Sequence, residues 1–389
     1  MVVIVLSSLG GLLAVSVVAI LLASGIFAKQ AYLEPWKMTY AQKFDDPRIQ
    51  LAAHGILAAN GHNMQPWKIR LDADSRVFYL YADPERLTPE VDPYARQFMI
   101  TQGTFLEYVK VAGAKLGYKT EISLFPLGEY DEGLLVQSMK EKPVAKVVLS
   151  KAVTKDDTLY NEMFLPDTNR AAYKEEPLTA SAIAQLRSIN QEDDRTITFF
   201  QGADELKRLG TFALEGTKIE ADVHRINEEA AGIFRFNEYQ KNKYRYGFSF
   251  EGQGTIGMKK HLLQGLVTLL PFMNNEKSSA GLMIKTAQTG VNHTPAYAMI
   301  LTQGNSRTQQ VTSGMLYSRL ILTAHTLGYV MQPLSQPIEE YSEMKELYEG
   351  IHREFAPKGE TIQMFVRLGK PTKEFPLTMR RDVNEMIMK

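Results

Sequence analysis

The sequence predicts a chain of mixed helices and strands, arranged as two halves that echo each other behind an apolar N-terminal helix. Three observations carry this reading. No charged side chain occurs between Val2 and Ala28, the first being Lys29. A hairpin pattern near Trp67 is followed by a long helical run that ends in Leu116-Gly117-Tyr118. A second long helical run ends in Leu327-Gly328-Tyr329, at a constant distance from the first.

The N-terminal run comes first because it must be set aside before any fold is argued. A bilayer core needs roughly 20 apolar residues in a helix, so Val2 to Ala28 is long enough to span with some tilt. A helix satisfies its own backbone hydrogen bonds in lipid, and Gly10, Gly11 and Gly25 are tolerated there. The competing reading is a cleaved signal peptide, which needs a basic start and an apolar core of about 7–15 residues. Here no Lys or Arg precedes the run, and the run is longer. A buried core helix fits least, since the segment is apolar on every face. The expectation is a single-pass transmembrane helix at residues 1–28, touching membrane lipid through residues 2–28. Lys29, Lys37, Lys43 and Arg48 follow it, so the positive-inside rule favours a cytoplasmic body.

The chain has 389 residues, and its 44 basic and 44 acidic side chains balance. No global field would draw it to nucleic acid. It contains no Cys, which excludes disulfides, thiolate zinc sites, Cys-ligated iron–sulfur clusters and a Cys nucleophile. The seven His show no His-x-x-x-His spacing, so a zinc site is not expected. His54 and His325 lie in apolar helical stretches and read as packed residues.

Residues 29–46 read as a polar linker interrupted by Pro35. Asp46-Pro47 is a helix start, with Asp at the N-cap and Pro in the first turn, and the pattern predicts a helix from Pro47 to Ala59. Asn60-Gly61 stops it. A hairpin follows, with strands Trp67–Leu71 and Val77–Tyr81 joined by a turn at Asp72 to Ser75. Helix resumes from Arg96 to Leu116 and ends at Gly117. Further on, Phe164 to Arg170 reads as a loop, with a helix start at Pro177-Leu178-Thr179. Asp204 to Glu229 reads as one amphipathic stretch. The run Lys241 to Arg245 reads as a solvated basic face. Gly265 to Phe272 is apolar but too short to span a membrane, which suggests a core helix or a lid.

The echo between halves is specific in position. Gly103 and Gly314 lie 211 positions apart, as do Gly117 and Gly328, Arg96 and Arg307, Thr101 and Thr312, and Pro126 and Pro337. Several matches at one offset argue for an internal duplication, and a duplicated chain can form within itself the interface of a homodimer. The expected halves are residues 47–160 and 161–389. Residues 205–285 fit neither copy and read as an insertion, a lid.

The densest polar cluster is Ala58 to Trp67, with Asn60, His62, Asn63 and Gln65. Asn and Gln each offer donors and an acceptor, which suits a ligand bearing both. The same residues also suit a loop that satisfies its own backbone. Residue pattern leaves the two readings open.

Asn63-Met64-Gln65-Pro66-Trp67 resembles the N-x-Q-P-W motif of nitroreductase-type FMN proteins. A wider ordered set is similar to the Acg-type branch, in which two nitroreductase halves lie in one chain. That set comprises His62 to Trp67, Ala82-Asp83-Pro84-Glu85-Arg86, Asp92 to Arg96, Asp167-Thr168-Asn169-Arg170, Gln332 to Pro337 and Arg367 to Pro371. The resemblance covers roughly residues 47–381. It implies an α+β, nitroreductase-like fold, internally duplicated as a pseudo-dimer, with FMN held where the halves meet. It implies an oxidoreductase passing electrons from NAD(P)H to a small acceptor such as a nitroaromatic or quinone. Asn63 and Gln65, with His62 beside them, would face the flavin from the first half. Pro333, Leu334 and Ser335 would line it from the second. Arg170, then Arg380 and Arg381, are the implied phosphate ligands. The plainer readings are a surface salt bridge for Arg170 and a solvated charged end for Arg380-Arg381. Family members open with a basic run, whereas the first half here offers only Arg48, which implies one FMN per chain. A tightly closed lid would make this an FMN-holding protein with little turnover.

Overall fold

The computed structural model describes residues 2–155 and 158–388, with side chains described from residue 13 onward. The helix α1 (Val2–Ser24) precedes the body, and α2 (Pro47–Gly55) opens it. The first half then runs β1 (Trp67–Leu71), β2 (Val77–Ala82), α3 (Arg96–Leu116), β3 (Tyr118–Leu124), α4 (Leu135–Glu141) and β4 (Ala145–Lys151). Short α5 (Leu159–Glu162) and α6 (Ala180–Ser188) lead to β5 (Arg195–Phe200). Five helices follow: α7 (Ala203–Asp222), α8 (His224–Gly232), α9 (Glu238–Tyr244), α10 (Gly257–Leu269) and α11 (Glu276–Asn292). The second half closes with β6 (Ala296–Thr302), α12 (Arg307–Thr326), β7 (Val330–Pro333), α13 (Lys345–Phe355) and β8 (Thr361–Gly369).

The strands form two antiparallel four-stranded sheets, ordered β1-β2-β4-β3 and β5-β6-β8-β7. In each, two strands are followed by a long helix, a strand, a shorter helix and a last strand that enters between earlier ones. The halves differ at one connection. β1 and β2 are joined by the tight turn at residues 72–76, whereas residues 201–295, carrying α7 to α11, separate β5 from β6.

The long helices α3 and α12 cross at Gly103 and Gly314. A Cβ on Gly103 would lie 1.8 Å from the Val311 carbonyl oxygen, and one on Gly314 would lie 1.9 Å from that of Ile100. Only glycine lets the two backbones touch there. Ser318 Oγ adds a hydrogen bond to the Thr104 carbonyl, at 3.2 Å, across the same interface. Val311 and Leu322 of α12 join Trp67, Phe105 and Leu106 in one buried cluster, so the halves share a core. Local signals agree with the helix ends. Asp46 accepts from the Arg48 N–H, Ser306 and Gln309 form a capping box at α12, and Gly117 ends α3 at φ 77.

Four expectations are corrected. The helix from Pro47 ends at Gly55, and residues 56–58 continue as turns. The linker is packed: Tyr32, Trp36 and Tyr40 are buried, Trp36 Nε1 donates to the Thr378 carbonyl at 2.8 Å, and Tyr40 Oη accepts from the Val383 N–H. Three aromatic rings spaced four residues apart bury too much apolar area to stay in water. The stretch from Asp204 to Glu229 breaks at Val223 into α7 and α8. Lys241 is not on a solvated face: it is fully buried, bonded to Glu238 at 2.6 Å and to Glu251. Lys260 bridges the same two carboxylates, and Tyr32 Oη donates to Glu238 at 2.7 Å. Two cations against two anions make that burial tolerable, and the network ties residues 31–36 to α9 and α10.

Among the described residues no helix is long and apolar enough to cross a membrane. The expected transmembrane helix thus has no support from them, and its residues 1–12 lie outside the described side chains. The helix stops at Ser24 rather than Ala28, where Gly25 turns the chain at φ 76. Its last turns lie against α10.

Candidate functional site

The polar cluster sits between α2 and β1 under backbone strain. His62, Asn63 and Gln65 take φ values of 52, 53 and 51, the left-handed region that favours glycine. Such conformations cost on the order of 1–3 kcal/mol each and persist where surrounding bonds over-determine them, often at functional sites. Here Gly61 N–H donates to Thr101 Oγ1 at 3.1 Å, and Gln65 N–H donates to Asn60 Oδ1 at 2.8 Å.

The strain aims the Asn63 and Gln65 amides away from β1, at two other segments of the chain. Asn63 Nδ2 donates to the carbonyls of Gly247 and Met379, both at 3.2 Å, and its Oδ1 accepts from Arg380. Gln65 Nε2 donates to the Arg245 carbonyl at 2.8 Å, and its Oε1 accepts the Arg381 N–H at 2.7 Å. The insertion and the C-terminal segment therefore both bond to these amides.

Arg380 and Arg381 are buried, not a solvated end. Arg380 donates to the Leu57 and Met379 carbonyls at 2.8 and 2.9 Å and lies over the Trp36 ring. Arg381 donates to the Gln65 carbonyl at 3.2 Å. Burial lowers both guanidiniums to about 10; among the described residues the Arg380 Nε has no hydrogen-bond partner, while the Arg381 Nε pairs with Glu385 at 3.7 Å.

Arg170 differs. It makes no ion pair among the described residues, and its one described hydrogen bond runs from Nη1 to the Gly252 carbonyl at 2.9 Å. Burial, and Arg367 nearby, disfavour its charge. Its loop is fixed to the second sheet, because Asn169 N–H donates to the Met331 carbonyl of β7. Arg367 braces the loop from β8, donating to the Ala171 carbonyl and to Gln332 Oε1, both at 2.7 Å. His62 lies close by: burial, then the Arg170 charge, hold its pKa down to about 4. Its ring meets Phe248 edge-on at 5.4 Å. His62 and Arg170 are enclosed enough to be desolvated yet keep accessible surface, as side chains lining an internal cleft do. Arg48, the first half's counterpart, is spent on Asp46 and on the carbonyls of Asp72, Asp74 and Val77.

From the second half, Pro333 ends β7 beside Val366. Leu334 turns away: its N–H donates to the Phe365 carbonyl and its side chain packs with Phe365 and Tyr297. Ser335 hydrogen-bonds Glu339, which also accepts from Gln97 of α3 at 3.4 Å. Gln97, Asp92, Arg86 and His62 line a gap of ≈ 10 Å³, room for about one water. Thus His62 meets Arg170, Asn63 meets Arg380, Gln65 meets Arg381, and Ser335 reaches the first half through Glu339.

Sequence reasoning did not find the carboxylates and phenols around the cleft. Burial, then the charge of Glu220 on α7, raises the Glu339 carboxyl, and burial raises Glu220 to about 7. Tyr108 Oη donates to Asp167 Oδ1 at 2.6 Å, and burial raises Asp167 to about 6. Tyr317 Oη is buried without a partner. Nothing distinguishes these tyrosines from ordinary helix-core residues in sequence. Chemically the Arg170 guanidinium suits an anion: half-buried and facing no carboxylate among the described residues, it matches phosphate oxygens.

No protein-family model matches the chain. It is similar to two Mycobacterium tuberculosis proteins, "Putative NAD(P)H nitroreductase MT3217" (strain CDC 1551 / Oshkosh) and "Putative NAD(P)H nitroreductase Rv3131" (strain ATCC 25618 / H37Rv). Each is 21% identical over 339 residues, 85% of this chain and 88% of the relative. Among solved structures, a nitroreductase-like family protein from Bacillus cereus matches at TM-score 0.32 and 9% identity, over 61% of this chain and 98% of its own. The FMN-dependent nitroreductase NfnB from Mycobacterium smegmatis, in complex with NADPH, matches at TM-score 0.31 and 14% identity, over 53% and 83%.

Proposed function

We propose that the protein is an FMN-dependent oxidoreductase of nitroreductase type, passing electrons from NAD(P)H to a small acceptor such as a nitroaromatic or quinone. Arg170 carries the proposal: a half-buried cation without a carboxylate among the described residues, set beside the strained His62–Gln65 loop where the resemblance expects a phosphate ligand. Similarity to the two mycobacterial relatives along most of the chain supports it. Bound FMN would supply the redox chemistry, which the protein's own side chains lack. Arg170 would neutralise the phosphate, with Arg380 and Arg381 adding positive potential. His62, neutral down to about pH 4, would offer an uncharged imidazole. Pro333 and Ser335 would border the ring from the second half.

The two halves are proposed as an internal duplication of the Acg type, a pseudo-dimer in one chain. Their shared sheet order and the Gly103–Gly314 crossing support this. One FMN per chain is proposed because Arg48 is bound to its own half. Residues 2–28 are proposed as a membrane anchor with the body on the cytoplasmic side, supported by the uncharged run and by the lysines after it.

A second reading, an FMN-holding protein with little turnover, is favoured by one observation: residues 245–252 of the insertion bond directly to Asn63, Gln65 and Arg170. Steady-state oxidation of NAD(P)H by the purified holoprotein, with a nitroaromatic or quinone, separates the readings. Turnover supports the oxidoreductase. Bound FMN without turnover supports the second reading, and a protein that takes up no flavin rejects both.

A further inference from the structure

The insertion ends in an apolar corner that the cleft does not use. Residues 262–275 carry no charge, between Lys260-His261 and Glu276. They form most of α10 and the turn Pro271–Met273. In a soluble lid this turn would be polar, yet Leu269 and Met273 are about half exposed and Phe272 is 75% exposed. The corner does not stand alone. Ser24 Oγ meets His261 Nδ1 at 3.2 Å, and one helical turn further the Gly265 backbone lies against Ile20, where a Cβ would sit 1.9 Å from the carbonyl oxygen. Four residues back along α1 match four residues forward along α10, so the helices run antiparallel in register. Continued one more turn, that register would bring Leu269 level with Ser16 and the Pro271–Met273 turn toward the level of Leu13. Leu13 and Val15 are themselves more than two-thirds exposed.

Two uncharged segments, distant in sequence, thus present their apolar ends at the same level. Their polar ends, Ser24 and His261, also share a level, just before Lys29 and the buried Lys260. From Ser24 to Leu13 a helix rises about 16 Å, roughly half of a bilayer core. Exposed Lys259, Lys277 and Lys285 lie on either side of the apolar corner in sequence. The nearby carboxylates Glu276 and Glu228 are both drawn to His224, at 2.9 and 3.3 Å, and the three lysines give a basic rim suited to anionic headgroups. An unpaired surface of this kind in water marks an interaction site, and the absence of charge on both segments selects acyl chains over a protein partner.

We infer that residues 262–273 are a second membrane-inserted element, dipping into one leaflet alongside α1. This rests on the proposed anchoring by residues 2–28. The insertion that caps the cleft through residues 245–252 is then fixed to the bilayer at its far end.

The test uses the full chain in vesicles of phosphatidylcholine and phosphatidylglycerol. The native tryptophans, Trp36 and Trp67, are buried, so Phe272→Trp adds a distinguishable signal at an exposed position, and Met273→Trp serves as a second variant. The expected result is flotation with the vesicles, a blue shift of the added emission, and its loss when the acyl chains are brominated. Leu165→Trp, on an exposed loop of the body, should remain unquenched. A chain that floats while both corner variants emit as in water and escape quenching overturns the inference and leaves the anchoring intact. A chain that does not float overturns both.

Discussion

The two sheets share one strand order, yet the two halves treat their opening arginines in opposite ways. In the first half Arg48 is bound by Asp46 and three carbonyls of the β1–β2 turn region, so its charge is consumed in holding a hairpin. In the second half the corresponding connection is the insertion from residue 201 to 295, and no such turn exists to occupy Arg170. Its single hydrogen bond goes to that insertion, at Gly252. On the proposed duplication, the longer connection does two things. It offers Arg170 no set of turn carbonyls like those that hold Arg48, and it supplies a segment that contacts Arg170 at Gly252. A symmetric architecture can in this way carry one anion site.

The axis of the comparison is the α3–α12 crossing, and breaking it should have the largest effect. Gly103→Ala or Gly314→Ala forces the backbones apart, and is expected to cost about 3 kcal/mol or more, read by urea unfolding. Equal losses for the two variants would sharpen the symmetry; a loss from only one would break it.

Next in size is the pair of arginines. Arg170→Ala should weaken FMN binding by roughly 10- to 100-fold, the scale of a lost charge-assisted hydrogen bond, with little change in unfolding free energy. Arg48→Ala should do the reverse, leaving flavin affinity unchanged and destabilising the fold by about 2–3 kcal/mol.

The lid contact comes third. Gln65→Ala removes the bonds to Arg245 and Arg381 and is expected to cost about 1–2 kcal/mol. It should also quicken limited proteolysis within residues 245–252, and unchanged cleavage there would mean other contacts hold the insertion down.

A separate effect, confined to acid, concerns protons. His62 is held at about 4, below the usual value of about 6.5. On acidification the unfolded chain takes the proton first, so the contribution of neutral His62 is present above about pH 6.5 and lost as pH falls toward 4. His62→Gln should flatten the stability profile across that window by up to one proton, measured by urea unfolding at several pH values.

Local pattern made much of this legible. Strands β1 and β2, the long α3, and the glycines at 103 and 314 follow from period, turn chemistry and a constant offset. The motif from His62 to Trp67 also marked the strained loop. Long-range pairing hid the rest. Asn63 and Gln65 stood out for amides that both donate and accept; the protein groups they bond to lie about 180 and 315 residues away. Lys241 looked solvated because Glu251 and Lys260, which neutralise its surroundings, lie on other elements. Glu220 and Glu339 become a pair only once α7 folds back onto the residues after β7, and the packing of Tyr32, Trp36 and Tyr40 depends on the C-terminal segment they cover.

The most direct test of the asymmetry is the stoichiometry of FMN binding, measured by titration of the purified full chain and of its Arg48→Ala and Arg170→Ala variants. One FMN per chain, retained by Arg48→Ala and severely weakened in Arg170→Ala, is the predicted result. Two FMN per chain, or an affinity that Arg170→Ala leaves unchanged, would contradict the assignment of the single site to the second half.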